Sequence, residues 1–190
     1  MTFRIAVVQP IANPIEDDEK NVADAVNFIT RAAAEGADFV CFPETYPGPW
    51  RMPATFDPTP LLAEAAAKHG INAIYGTLEP LSHNEGTAHN LIWSRAIENL
   101  AIVVTTQNLF SHAERGLAMV AAPEEILFES TAAGLFMVDV SLERAREMRT
   151  STDSVTSSAN FGAKQGVLGP QWQRPELRAT MYPRPGEAAE

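Results

Sequence analysis

Cysteine, long apolar segments and positive charge are the features that this sequence has least of. Cys41 is the one cysteine among 190 residues, so no disulfide can form within the chain and a cytoplasmic location is expected. No apolar run reaches the ~18 residues of a membrane-spanning helix. Fourteen basic against 24 acidic side chains leave a net charge of −10, which disfavours nucleic acid and anionic membranes as partners.

Length and composition favour one folded domain. The hydrophobic fraction of 45% and the charged fraction of 20% are ordinary for a globular protein. We predict a domain over residues 1–150, followed by a tail over residues 151–190 that is rich in Ser, Thr, Gly and Pro. The tail is expected to form an extended arm or to be disordered. The first residues run straight into a strand-like segment, so no signal peptide is expected.

Hydrophobic periodicity predicts an alternation of strands and helices. Two amphipathic helices are expected before residue 71: one is capped at its start by Asp17 or Asp18 and ends at Gly36, and one is capped at its start by Asp57 and ends at Gly70. A last helix follows Ser141. The predicted strands are Ile5–Val8, Asp38–Phe42, Ile71–Thr77, Ala88–Trp93, Ala101–Gln107, Leu117–Ala121, Glu125–Glu129 and Leu135–Val140. This order indicates an α/β layered domain.

Glu44 is the first candidate for chemistry. It follows the apolar run Asp38–Phe42 and Pro43, and therefore lies just beyond a buried strand. Open α/β folds build their sites at the carboxyl ends of such strands. A carboxylate held there is suited to act as a general base.

Several motifs in order resemble the nitrilase, or carbon–nitrogen hydrolase, superfamily. The resemblance runs inward from both ends of the chain. Its segments are Arg4–Pro10, Gly36–Thr45 with Phe42-Pro43-Glu44, Ala73–Gly76, His89–Leu91, Arg95–Asn99 leading to Gln107-Asn108, and Trp172–Leu177.

The resemblance implies an α-β-β-α sandwich that hydrolyses small amides, N-carbamoyl compounds or nitriles without a cofactor. The family reaction needs a glutamate base, a lysine that stabilises the oxyanion and a cysteine nucleophile. Glu44 matches the glutamate. Tyr46 and Trp50 would line the entrance for the substrate, although a rigid Pro/Gly loop anchored by Trp50 explains that segment equally well.

The lysine and the cysteine have no counterpart here. In the family they lie between the Asn-Leu strand and the Arg-Ala-x-Glu-Asn helix, whereas only Ser94 separates Trp93 from Arg95 in this chain. We therefore expect that this central block is absent. Alternation along the strand turns Cys41 away from Glu44, which predicts a buried, unreactive thiol.

Other polar groups are expected to be structural. Lys20 and Lys68 fall at predicted helix ends, and Lys164 lies in the tail. His83, Glu85 and His89 have no recognised metal-ligand spacing, so no metal site is predicted. Ser111-His112 lacks a nucleophile elbow. Glu98 is expected to be a structural or surface group.

An incomplete sandwich would expose strand edges and apolar faces. We therefore expect a domain that associates with itself or with another chain. Three interpretations follow: a homologue that is catalytically defective alone, a hydrolase completed by a partner chain, and a non-catalytic interaction subunit.

Overall fold

The computed structural model describes residues 2–77 and 85–150. Its elements in chain order are β1 (Thr2–Gln9), α1 (Lys20–Ala34), β2 (Phe39–Pro43), α2 (Thr59–His69), β3 (Asn72–Thr77), α3 (Glu85–Asn99), β4 (Val103–Thr105), β5 (Ala118–Ala121), β6 (Ile126–Ser130), β7 (Gly134–Ser141) and α4 (Leu142–Thr150). Within this part of the chain, no helix has the length and apolar character needed to cross a membrane.

The strands form two sheets. The first has the order β3-β2-β1-β7, with β1, β2 and β3 parallel and β7 antiparallel to β1 along its whole length. The second is the antiparallel sheet β4-β5-β6. The parallel strands of the first sheet are joined by α1 and α2, as connections between parallel strands require.

The layers follow from side-chain alternation in β1 and β2. Ala6 and Val8 of β1 pack with Val40 and Phe42 of β2 against the helices α1 and α2. Ile5, Val7 and Cys41 point to the other face, where they meet Ala118 and Val120 of the second sheet. The opposite face of the second sheet packs against α3, through contacts that include Met119 with Ile92 and Ala96. The result is the predicted α-β-β-α order of layers.

The predicted strand Ala88–Trp93 is wrong. These residues belong to α3, which runs without interruption through Trp93 and Arg95 to Asn99. Ile92 and Ala96 are four residues apart and both fully buried, which is the spacing of one helical face. Ser94 therefore lies within a continuous helix, and no connector is needed between Trp93 and Arg95.

The helix ends are predicted in part. Gly36 and Gly70 have φ values of 78° and 64°, the left-handed conformation that ends a helix. The Asp57 carboxylate accepts a hydrogen bond from the Thr59 amide at 2.9 Å, at the start of α2. The expected capping of α1 by Asp17 or Asp18 is wrong, because the α1 cap position, Glu19, makes no side-chain cap bond. The Asp18 carboxylate instead binds the Trp50 amide.

Candidate functional site

Glu44 occupies the position that the sequence predicts. It directly follows β2, at the carboxyl ends of the parallel strands. The neighbouring strand β1 ends on the same side of the sheet, at the buried residue Gln9. The residue itself is exposed, and its neighbours Phe42 and Pro43 are buried. A rigid strand therefore presents the carboxylate to solvent at the edge where α/β sheets bind ligands.

Thr45 has an unusual backbone conformation. Its φ of 64° lies in the left-handed region, which β-branched residues rarely adopt. Its hydroxyl donates to the Glu44 carbonyl oxygen at 2.6 Å. Its own carbonyl accepts a hydrogen bond from the indole Nε1 of Trp50 at 2.9 Å. The residue next to the candidate base is thus held by contacts on both sides.

The two candidates for the substrate entrance occupy different environments. Trp50 is partly buried, donates its amide to the Asp18 carboxylate at 2.8 Å and packs edge-on against Phe110 at 5.4 Å between ring centroids. Tyr46 is 2% exposed and stacks on Phe42 in the core, and burial raises the pKa of its phenol. Trp50 is therefore the one of the two that retains a surface beside the turn of Glu44.

Asn108 also contacts the turn of Glu44, and sequence reasoning assigned it no role. Its Nδ2 donates to the Glu44 carbonyl oxygen at 3.1 Å. Its neighbours bind β1 and the loop after it: Thr106 donates its hydroxyl to the Val8 carbonyl at 2.7 Å, and the Leu109 amide donates to the Pro10 carbonyl at 3.0 Å. The sequence does mark Asn108, because Gln107-Asn108 belongs to one of the family motifs. It gives no sign of the contact with Glu44, because the two residues are 64 positions apart.

Cys41 lies on the face of β2 opposite to the helices, as alternation predicts. It is 3% exposed and packs with Ile5, Val7 and Val138. Burial raises the pKa of its thiol to about 12. At neutral pH this thiol is protonated, and it lies on the other side of the sheet from the layer that contains Phe42 and Tyr46.

The remaining polar candidates lie away from Glu44 or pair with other groups. Lys20 is exposed and pairs with Asp17 at 2.8 Å, and Lys68 is exposed in the last turn of α2. His89 Nε2 contacts the Glu129 carboxylate at 3.1 Å. Glu98 pairs with Arg95 on the surface at 3.1 Å, which confirms its expected surface position. Lys164, His83 and the side chain of Glu85 lie outside the described residues.

Amidases are among the solved structures that share this fold. An amidase from Nesterenkonia sp. matches with a TM-score of 0.58 and 16% identity, over 76% of this chain and 92% of the amidase chain. A cysteine-to-alanine mutant of the Nesterenkonia sp. AN1 amidase in complex with butyramide matches with a TM-score of 0.58 and 16% identity, over 76% and 93% of the two chains.

A glutamate-to-glutamine mutant of that amidase carries the acetamide moiety of fluoroacetamide on its active-site cysteine. It matches at a TM-score of 0.58 and 16% identity, over 75% and 92% of the two chains. No curated protein sequence matches the chain significantly. The family model for carbon–nitrogen hydrolases matches residues 4–101, more than half of the chain. With its layer order and the position of Glu44, the chain belongs to the carbon–nitrogen hydrolase family.

Proposed function

We propose that this chain keeps the general base of the carbon–nitrogen hydrolases, Glu44, but does not hydrolyse amides by itself. The observation that carries the proposal is the position of its one thiol. Cys41 is buried on the face of β2 that packs against the second sheet, and it is protonated at neutral pH. A cysteine nucleophile must reach the substrate carbon as a thiolate.

The family reaction also needs a cation for the developing oxyanion. Lys68 lies in the last turn of α2, just before β3 begins. It is therefore near the amino ends of the parallel strands, whereas Glu44 lies at their carboxyl ends. Lys20 is engaged with Asp17 on the surface. Of the lysines in the described part of the chain, neither is placed to hold an oxyanion beside Glu44, which supports loss of the second catalytic group as well.

The substrate class proposed for this site is a small amide, N-carbamoyl compound or nitrile. Its support is family membership together with the exposed carboxylate of Glu44 and the aromatic surface of Trp50 beside it. One of the amidases of the same fold binds butyramide, which makes that compound the first probe. The ring of Tyr46 is in the core, so we assign the aromatic contact with the substrate to Trp50.

An ammonia-release assay on the purified chain tests the proposal, with butyramide, N-carbamoyl amino acids and small nitriles as substrates. The expected result is no release above the buffer blank. Turnover that the Glu44→Gln variant abolishes would contradict it. Addition of a candidate partner chain separates the alternatives: turnover that requires the partner indicates a completed hydrolase, and a stable complex without turnover indicates an interaction subunit.

We also propose that the predicted domain over residues 1–150 associates through the incomplete side of its sandwich. Among the described strands, none pairs with the outer edge of β3. Beside that edge lies an apolar cavity of about 370 Å³ between the two sheets. Its lining residues are Phe3, Ile5, Phe39, Cys41, Ile74, Ile102, Val104, Val140 and Leu142. Self-association would cover this surface. The cytoplasmic location and the extended or disordered arm over residues 151–190 stay predictions.

A further inference from the structure

We propose that Asn108 is a positioning residue for Glu44, acting through the backbone of the Glu44–Thr45 turn together with Trp50. This inference rests on the proposed role of Glu44 as the base. Three side chains converge on two consecutive carbonyl groups. Asn108 Nδ2 and the Thr45 hydroxyl donate to the Glu44 oxygen, and Trp50 Nε1 donates to the Thr45 oxygen.

The backbone of Thr45 shows why such contacts are needed. A threonine at φ 64° is strained and keeps that conformation only where its surroundings over-determine it. The two hydrogen bonds from Asn108 and Trp50 come from outside the turn and oppose relaxation to an ordinary backbone. They therefore fix the direction in which β2 presents the Glu44 side chain.

The hydrogen bond to Glu44 also determines how the side-chain amide of Asn108 is oriented. Its Oδ1 is buried and has no hydrogen-bond partner within residues 2–77 and 85–150. The reversed orientation of the amide would place that oxygen against the Glu44 carbonyl oxygen, so the bond to Glu44 sets the orientation.

The chain offers a matched control at the other end of the same strand. Asn72 Nδ2 donates to the Asp38 carbonyl oxygen at 3.1 Å, just before β2, as Asn108 does to Glu44 just after it. Asn108→Asp and Asn72→Asp each remove one amide donor and add one negative charge. Only the first touches the turn of Glu44.

The test is solution NMR of the full chain and both variants. For Asn108→Asp we expect shifts of the Glu44 carbonyl carbon and of the Trp50 indole resonance. We also expect roughly tenfold faster hydrogen exchange at the Tyr46 and Gly48 amides, which close the turn. Asn72→Asp should leave these signals unchanged. Unchanged signals in Asn108→Asp would overturn the proposal, and Asn108→Ala serves the same comparison where Asn108→Asp fails to fold.

Titration with butyramide separates this inference from the proposed function. We expect butyramide to perturb the Glu44 side-chain resonances, with roughly tenfold weaker binding in Asn108→Asp (about 1.4 kcal/mol) and no change in Asn72→Asp. If Asn108→Asp loosens the turn but butyramide perturbs neither the wild type nor Glu44→Gln, the positioning role stands and the proposed substrate class fails. If butyramide binds through Glu44 with equal affinity in the wild type, Asn108→Asp and Asn72→Asp, the positioning role fails.

Discussion

Glu44 and Cys41 are three residues apart in sequence, yet the sandwich separates their environments. Glu44 follows the strand at an exposed edge, whereas Cys41 is enclosed between the sheets. The period of two along β2 produces this separation, and for Cys41 it could be predicted from the sequence. An acid and a thiol that are close in sequence do not form a catalytic pair here.

The buried thiol of Cys41 predicts a dependence of stability on alkaline pH. In the folded chain its pKa is about 12, above the ~8.5 of an unfolded cysteine. The folded state keeps the proton where the unfolded state loses it, so this stabilisation is complete below pH ~8.5 and is lost as pH rises toward 12. Between pH 8.5 and 9.5 the loss is about 1 kcal/mol.

Denaturant unfolding of wild type and Cys41→Ala at several alkaline pH values measures this effect. The wild type should lose more unfolding free energy than the variant as pH rises, because both chains share all other titrating groups. Parallel curves would show that Cys41 is not held in its neutral form.

Thr45 and Asn108 mark the limit of prediction at this scale. A left-handed φ at a threonine has no signal in its side-chain type, since local propensity disfavours it. The Asn108 contact depends on where the chain returns after 64 residues. Both features are set by tertiary structure.

Among the elements, strands of the first sheet were predictable and α3 was not. Each of the predicted strands Ile5–Val8 and Asp38–Phe42 is mostly apolar and lies close before a proline. β1, at Thr2–Gln9, extends beyond the first prediction at both ends, and β2, at Phe39–Pro43, is displaced from the second by one residue. Residues 88–93 are only partly apolar, and the spacing of Ala88, Leu91 and Ile92 is equally consistent with one face of a helix. The neighbouring sheet decides between the two, through the contacts of Met119 with Ile92 and Ala96.

A pair of isoleucines on α3 tests the helical assignment. Ile92 is fully buried and Ile97 is 46% exposed. Ile92→Val should destabilise the chain by about 1 kcal/mol, because it removes a packed methylene, and Ile97→Val should change stability by less than ~0.3 kcal/mol. Thermal melts of the two variants give the comparison. Equal losses of stability would contradict the assignment of Ile92 to the buried face of α3 and of Ile97 to the exposed face.

For the whole molecule, the four layers agree with the fold predicted from the resemblance, but the first sheet has four strands and the second three in the part of the chain that the structure describes. The first sheet carries Ile74, 39% exposed, on β3 at the lining of the apolar cavity. Sequence alone predicted that an apolar surface would be left uncovered, but could not say where, because that depends on which strands pair.

Ile74→Lys tests whether this surface mediates self-association. A lysine there would place a charge at the apolar lining and disfavour its burial against a second copy. Light scattering after size exclusion should show a mass that rises with concentration for the wild type and a monomer for Ile74→Lys. Met52→Lys is the control, since Met52 is 90% exposed in a loop and lines no part of the cavity. A monomeric wild type, or equal loss in both variants, would contradict this interface.

The proposal that the chain lacks a usable nucleophile is most directly tested by intact-protein mass spectrometry after incubation with fluoroacetamide at neutral pH. The reagent leaves its acetamide moiety on the active-site cysteine of a structurally similar amidase mutant. Because the Cys41 thiol is buried and protonated, we predict no adduct on the folded chain and one adduct after unfolding at alkaline pH. Rapid formation of an adduct on folded wild type, absent from Cys41→Ala, would contradict the proposal that this hydrolase fold lacks its nucleophile.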